Sequence, residues 1–209
     1  MNKPCDFGLK GLVHVSGAPA TGKTLFAIAY ASEVAMDSDV LWINTNGKMA
    51  FIEPLKQTIS RTNGRPESVR VLSAMGHKMT VEIIEDIPTF LTEDTTLIVI
   101  DSITRVLDMG LRKDPMWGRV LFEEVLPSLT AMSMKHDLTI LCISECREVG
   151  GSKRAVYEEA MNRFADYEIK IARTIKSGIS IAEVESTPLI EIRLEDEGSV
   201  ALALGGGTQ

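Results

Sequence analysis

Eight consecutive residues constrain this chain more than any others. Gly17-Ala18-Pro19-Ala20-Thr21-Gly22-Lys23-Thr24 matches the spacing GxxxxGK[ST] at every fixed position. Such a loop works between a strand and a helix: its backbone N–H groups wrap a phosphate, and the helix N-terminus adds its partial positive charge to the same anion. Both flanks are present. Leu12–Val15 is a short apolar run. Lys23–Ala35 reads as a helix that is apolar on nearly all sides, with Leu25, Phe26, Ile28, Tyr30 and Val34, the pattern of a buried helix. Gly17 and Gly22 permit backbone angles and close approach that a side chain would block. Lys23 is placed to reach the β- and γ-phosphates and the Thr24 hydroxyl to ligate magnesium. The loop therefore implies a nucleoside triphosphate, ATP by expectation, bound with magnesium through Gly17, Ala18, Pro19, Ala20, Thr21, Gly22, Lys23 and Thr24.

The rest of the chain supplies a matching scaffold. Val40–Ile43, Val69–Leu72 and Leu138–Ile143 read as strands, and Phe51–Ile59 and Val81–Leu91 as helices. Leu97–Asp101 is a continuous apolar run ending in a carboxylate, as suits a strand buried on both faces of a parallel sheet. Trp117–Lys135 reads as a long helix, bent at Pro127. Cys146–Lys153 is polar with two glycines and reads as a loop. Beyond it, Ala165–Ala172 and Ile190–Leu194 alternate, and Val200–Leu204 is a last short strand, all expected as antiparallel additions to the sheet edge. Strands alternating with helices imply an α/β fold with an open, mostly parallel sheet. One domain over residues 1–204 is expected, with a flexible Gly-rich tail at 205–209.

Asp101 is the natural second element of the site. A carboxylate at the end of an apolar strand lies at the carboxyl edge of the sheet, where open α/β folds bind ligands, and there it would hold magnesium. The bland alternative is a cap for the segment that follows. Composition narrows the field further. The 209 residues are 44% hydrophobic and 24% charged, ordinary for a globular domain. No apolar run approaches the ~20 residues that span a bilayer, and the start lacks the apolar core of a secretory signal, so a cytoplasmic protein away from membranes is expected. The net charge of −7 argues against a broadly basic nucleic-acid coat, and any DNA binding should weaken strongly with salt. Three cysteines, Cys5, Cys142 and Cys146, suit neither a disulfide framework nor a metal site. His14, inside the first strand, reads as a satisfied interior residue. His77 and His136 read as surface residues.

Together these features resemble the RecA superfamily, and within it the archaeal RadA/RadB recombinase branch. The similar stretches are Gly11–Thr24, Val40–Gly47, Leu97–Thr104 and Leu138–Arg147, with Leu-Ile-Val-Ile-Asp-Ser-Ile-Thr at 97–104 especially alike. A triphosphate loop this early, with no helical DNA-binding domain ahead of it, resembles RadB more than a full RadA recombinase. KaiC-type ATPases share the core. The resemblance implies ATP and magnesium, a role in homologous recombination and DNA repair, a RadA-type partner and possible oligomers. Two departures stand out. Where the family places a water-activating glutamate, the turn Asn44-Thr45-Asn46-Gly47 aligns Asn46. An amide orients water but takes no proton at neutral pH, so slow hydrolysis is expected, with Lys23 and Asn46 at the reacting end. Where the family often has Asn-Gln after the strand Leu138–Ile143, this chain has Ser144 and Glu145, and Glu145 is either a displaced base or a salt-bridged loop residue.

By position in that family, two loops are candidates for single-stranded DNA. The first, Leu107–Arg119, carries Arg112, Lys113, Trp117 and Arg119. The second, Arg147–Tyr157, carries Arg147, Lys153, Arg154 and Tyr157. Cations for phosphates and an aromatic for stacking are the chemistry such binding needs. Asp114, Glu148, Glu158 and Glu159 dilute the field. Two alternatives remain open: a KaiC-like signalling ATPase without DNA, and a nucleotide-dependent protein scaffold.

Overall fold

The computed structural model describes residues 8–108, 110, 113, 118–149, 152–176, 178–184, 187–195 and 198–204. The tail at 205–209, Cys5, Arg112, Trp117 and the glycine pair at 150–151 lie outside them. Among the described residues the strands are β1 (Gly11–Gly17), β2 (Asp39–Asn44), β3 (Val69–Ser73), β4 (Thr95–Asp101), β5 (Thr139–Ile143), β6 (Cys146–Val149), β7 (Ser152–Ala155), β8 (Tyr167–Arg173), β9 (Ile179–Val184), β10 (Thr187–Leu194) and β11 (Val200–Leu204). The helices are α1 (Lys23–Val34), α2 (Ile52–Thr62), α3 (Gly76–Glu85), α4 (Ile87–Phe90), α5 (Leu126–His136) and α6 (Glu158–Phe164).

One sheet runs in the order β11-β10-β9-β8-β1-β5-β4-β2-β3, and β6 pairs with β7 in a separate hairpin. The strands β3, β2, β4, β5, β1 and β8 are mutually parallel. The antiparallel part begins at β9. The alternating stretch expected at the edge, β8, is instead an interior strand parallel to β1. Its pattern still holds: Ile169 and Ile171 are buried and Lys170 is exposed. The central strands β4 and β5 are buried almost throughout, because helices cover both faces.

Each face has its own core. Phe26, Ile28 and Tyr30 of α1 and Leu55 and Ile59 of α2 pack with Val13, Val15, Trp42 and Val99 on one face. Ile84 of α3, Leu126 and Leu129 of α5 and Met161 of α6 pack with Leu12, Ile43, Ile98 and Ile140 on the other. Met132 is buried and Met134 exposed, so the methionines fill both core and surface, as read. The long helix is not uniformly α: Val120–Val125 is a π-helical turn that gives way to α5 at Leu126, with Pro127 in its first turn. Proline is tolerated there, since the first N–H groups of a helix have no intrahelical acceptor.

The register brings the working residues to one edge. Val15, Ile143, Asp101, Asn44 and Ser73 stand in line across β1, β5, β4, β2 and β3. The residues just past that line form the carboxyl rim: Ser16 and Gly17, Ser144 and Glu145, Ser102, and Thr45 and Asn46. No described helix is long and apolar enough to cross a membrane.

Candidate nucleotide site

The loop between β1 and α1 has the backbone its sequence demands. Gly17 has φ +154°, Ala20 +60° and Gly22 +99°. A Cβ at Gly17 would stand 2.3 Å from the Ile171 carbonyl oxygen and 2.8 Å from Thr21 Oγ1. Glycine is therefore the residue that lets β8 and the loop close on one another. Thr21 pins the turn by donating its hydroxyl to the Ala18 carbonyl at 2.9 Å. The Lys23 ammonium curls over the loop and donates to the carbonyls of Gly17 and Ala18 at 2.8 and 3.0 Å. Burial pulls it below the usual lysine range, against the opposing acidic groups of Cys146, Asp101 and Glu145.

Thr24 and Asp101 meet although 77 residues apart: the Thr24 hydroxyl donates to Asp101 Oδ2 at 2.7 Å. Asp101 is 6% exposed. Burial pushes its carboxyl above the ordinary carboxylate range, while the Thr24 hydrogen bond and the Lys23 charge pull the other way. A divalent cation would relieve that unfavourable burial. Magnesium characteristically takes one or two protein oxygens and completes its shell with phosphate and water, so a hydroxyl and a carboxylate side by side fit it. No group of three or more His, Cys, Asp or Glu is placed to hold a metal among the described residues, and magnesium with a triphosphate does not require one.

The rim beside Asp101 is cross-tied. The Thr45 N–H donates to the Asp101 carbonyl at 2.8 Å. Thr45 Oγ1 donates to the Ser102 carbonyl at 2.8 Å and accepts the Ser102 N–H at 2.6 Å. These bonds fix the turn that carries Asn46. Asn46 Oδ1 accepts the Lys48 N–H at 2.8 Å, so its carbonyl serves its own turn. Glu145 pairs with Arg105 at 2.7 Å, which engages its carboxylate in the salt-bridged arrangement.

The second basic segment is the hairpin β6–β7 rather than a loop. Its register sets Arg147 opposite Arg154 and Glu148 opposite Lys153. The composition is loop-like, but backbone pairing overrode it. Arg154 and Cys146 line a cavity of about 830 Å³ shared with the loop residues Ser16–Thr21 and with Lys170 and Arg173 of β8. Tyr157 packs against the core of the α5 face and lies over Gly118, where a Cβ would meet its ring. In the first segment Lys113 and Arg119 are exposed, and Arg119 is paired with Glu123 one turn on. Arg112 and Trp117 lie outside the described residues. A second cavity of about 320 Å³ flanks the other side of the loop, between Gly22, Leu25, Arg173 and Ser180.

The structure adds a group that the motif reading left out. His14 is fully buried and uses both ring nitrogens: Nδ1 contacts Asn162 Oδ1 at 2.8 Å and Nε2 contacts Ser144 Oγ at 2.9 Å. That satisfies the expectation of an interior histidine. Its partners lie 148 and 130 residues away, and no local pattern announces them. His77 pairs with Asp108 and His136 is exposed, as surface residues do.

No family model matches this sequence, and no curated protein matches it. Among solved structures, the crystal structure of the RadB recombinase is similar over 92% of this chain and 90% of its own length, with a TM-score of 0.74 and 19% identity. The chain thus has the RecA-like fold found in that recombinase, with the Gly17–Thr24 loop and the Thr24–Asp101 pair at its carboxyl rim.

Proposed function

We propose that this chain is an ATP-binding RecA-like recombinase paralogue that assists homologous recombination and DNA repair, with ATP acting as a conformational ligand. The observation that carries the reading is the Thr24–Asp101 contact, which brings the two halves of a magnesium-triphosphate site together at the carboxyl rim. Gly17, Ala18, Pro19, Ala20, Thr21 and Gly22 cradle the phosphates with their backbone. Lys23 exchanges its two loop carbonyls for phosphate oxygens. Thr24 and Asp101 hold magnesium, which neutralises phosphate charge when bound. The likeness to RadB supports single-stranded DNA and a RadA-type recombinase as partners, and the exposed cations Arg154 and Lys113 with Arg147 and Lys153 are the candidate contacts.

The test is anisotropy of labelled single-stranded DNA at low salt, with and without magnesium-ATP. The expected result is DNA binding that strengthens with magnesium-ATP and falls steeply as salt rises, because phosphate contacts release counterions. Absence of binding in every condition would sink this reading in favour of a KaiC-like signalling ATPase or a nucleotide-dependent scaffold.

Hydrolysis is the second half of the proposal. Asn46 has no basic group, and its carbonyl is engaged by Lys48. Glu145 is engaged by Arg105. The chain therefore turns over slowly, with Asn46 at most orienting water through its amide. Asn46→Glu restores a carboxylate at the end of a turn already tied to Asp101 and Ser102. General bases contribute roughly 10²–10⁴-fold, and the substitution is expected to raise phosphate release by at least about tenfold. A rate unchanged from the parent, with ATP still bound, would place the base elsewhere.

A further inference from the structure

The hydrogen-bond chain Asn162–His14–Ser144, buried at His14 and Ser144, is not needed to bind phosphate, yet it joins three places that matter. Ser144 lies one residue past β5, level with Ser16 and Ser102 on the rim, and its N–H donates to the Val15 carbonyl at 3.0 Å. The next two residues, Glu145 and Cys146, are close enough to Lys23 to act on its charge. Cys146 also opens the hairpin β6–β7. The hairpin's base is closed by the Val156 N–H donating to the Glu145 carbonyl at 2.9 Å, and its far end runs into α6, which carries Asn162. His14 sits two residues before Ser16 and three before Gly17. It therefore bridges both roots of the hairpin from within the strand that leads to the phosphate loop.

We propose that His14 is a positioning residue that couples the phosphate loop to the basic hairpin Cys146–Ala155, through one continuous hydrogen-bond chain from Ser144 to Asn162. The coupling rests on the nucleotide reading above. With Asn162 Oδ1 as acceptor, Nδ1 carries the ring proton and Nε2 accepts the Ser144 hydroxyl. Burial holds the imidazole below its usual range, and Lys170 acts the same way. The Asn162 hydrogen bond and the charges of Glu168 and Glu158 oppose it. Lys170 is itself shared between Glu158 of α6 and Glu168 of β8, at 3.5 and 3.3 Å.

A chain anchored by a buried bond of this kind switches between discrete states. Ser144 and His14 are fully buried, so water cannot replace the bond between them. Leaving one such group unpaired costs the desolvation of that group, which a rotation of the ring and a following shift of α6 avoid. A displacement of the β5 end beside Lys23 is thus passed to the root of the hairpin. Glu145, held by Arg105 on the opposite side of the rim, fixes the pivot.

Asn162 is exposed, so it can be altered without opening the core. Asn162→Leu is expected to bind magnesium-ATP as the parent does, and to lose about twofold to thirtyfold of the nucleotide-induced gain in DNA affinity. Asn162→Asp, which keeps the acceptor for Nδ1–H, retains the gain. The direct readout is the imidazole ¹⁵N spectrum of the full chain, which has only three histidines. Saturating magnesium-ATP shifts the His14 Nδ1 and Nε2 signals, while exposed His136 is unmoved. Shifts at the amides of Gly22 and Lys23 with none at His14 would overturn the coupling alone. An undiminished gain in Asn162→Leu would do the same. No shift at any of these positions would overturn the coupling and the nucleotide reading together.

Discussion

Lys23→Ala loses its nucleotide and keeps its fold. The ammonium makes two hydrogen bonds in this structure, to the carbonyls of Gly17 and Ala18, and both acceptors lie on the loop where solvent can reach them. Their loss costs about 1 kcal/mol or less of ligand-free stability, the usual net worth of such bonds. The effect on binding is of another order. Asp101 and Glu145 face the same space, and the chain carries a net charge of −7. Without Lys23 a triphosphate would meet those carboxylates with backbone dipoles and magnesium as its remaining support. Removing one partner of a close charge pair costs about 2–5 kcal/mol, or roughly 30- to 5,000-fold in affinity for magnesium-ATP. Thermal unfolding shows both halves of the statement. At about a hundred times the dissociation constant, the parent gains roughly 2.7 kcal/mol, which is about 5–10 °C for a chain of this size. The variant gains less than about 1 kcal/mol at the same concentration, and its ligand-free midpoint stays near the parent's. A variant that gains as much as the parent would show that Lys23 does not hold the triphosphate.

How much of this was readable in advance follows from how local each feature is. The phosphate loop is fixed by residue type within eight positions, and Asp101 by the apolar run that ends in it. That the two would meet at one edge was legible, as was the mostly parallel sheet. The hairpin β6–β7 was not, because Cys146–Lys153 has the composition of a loop and its pairing comes from cross-strand backbone bonds. The strand β9 was missed because Ile179–Val184 is a weak pattern that only its neighbours β8 and β10 stabilise. The parallel placement of β8 beside β1 is a matter of topology, to which alternation is blind. The engagement of Glu145 by Arg105 and of Ser144 by His14 depends on residues 40 and 130 positions apart. Sequence read alone proposes which groups are available and leaves open whom they will meet.

Trp42→Ala is expected to be among the most damaging single changes in the chain. Trp42 lies in β2, fully buried in the core beneath α1 and α2. Its ring stacks on Phe51 with centroids 4.9 Å apart and an interplanar angle of 13°. Deleting an indole from such a site costs about 3–5 kcal/mol in lost transfer energy and cavity, a large part of the roughly 5–15 kcal/mol by which a domain is stable. Urea titration should show the midpoint fall accordingly, with a thermal midpoint lower by roughly 10 °C. Trp42→Phe separates packing from polarity. The indole Nε1 is buried and finds no acceptor among the described residues, so its loss removes an uncompensated N–H, whose burial costs about 1–3 kcal/mol. That gain offsets the smaller ring, and the phenylalanine variant should stand within about 1.5 kcal/mol of the parent. A phenylalanine variant as damaged as the alanine one would mean that Nε1 has a partner after all. The consequence reaches the site, because β2 ends in Asn44 and passes directly into the Thr45–Asn46 turn that is tied to Asp101 and Ser102. Loosening Trp42 therefore weakens the seat of Asp101, and under the proposed function the alanine variant should lose affinity for magnesium-ATP even at temperatures where it remains folded.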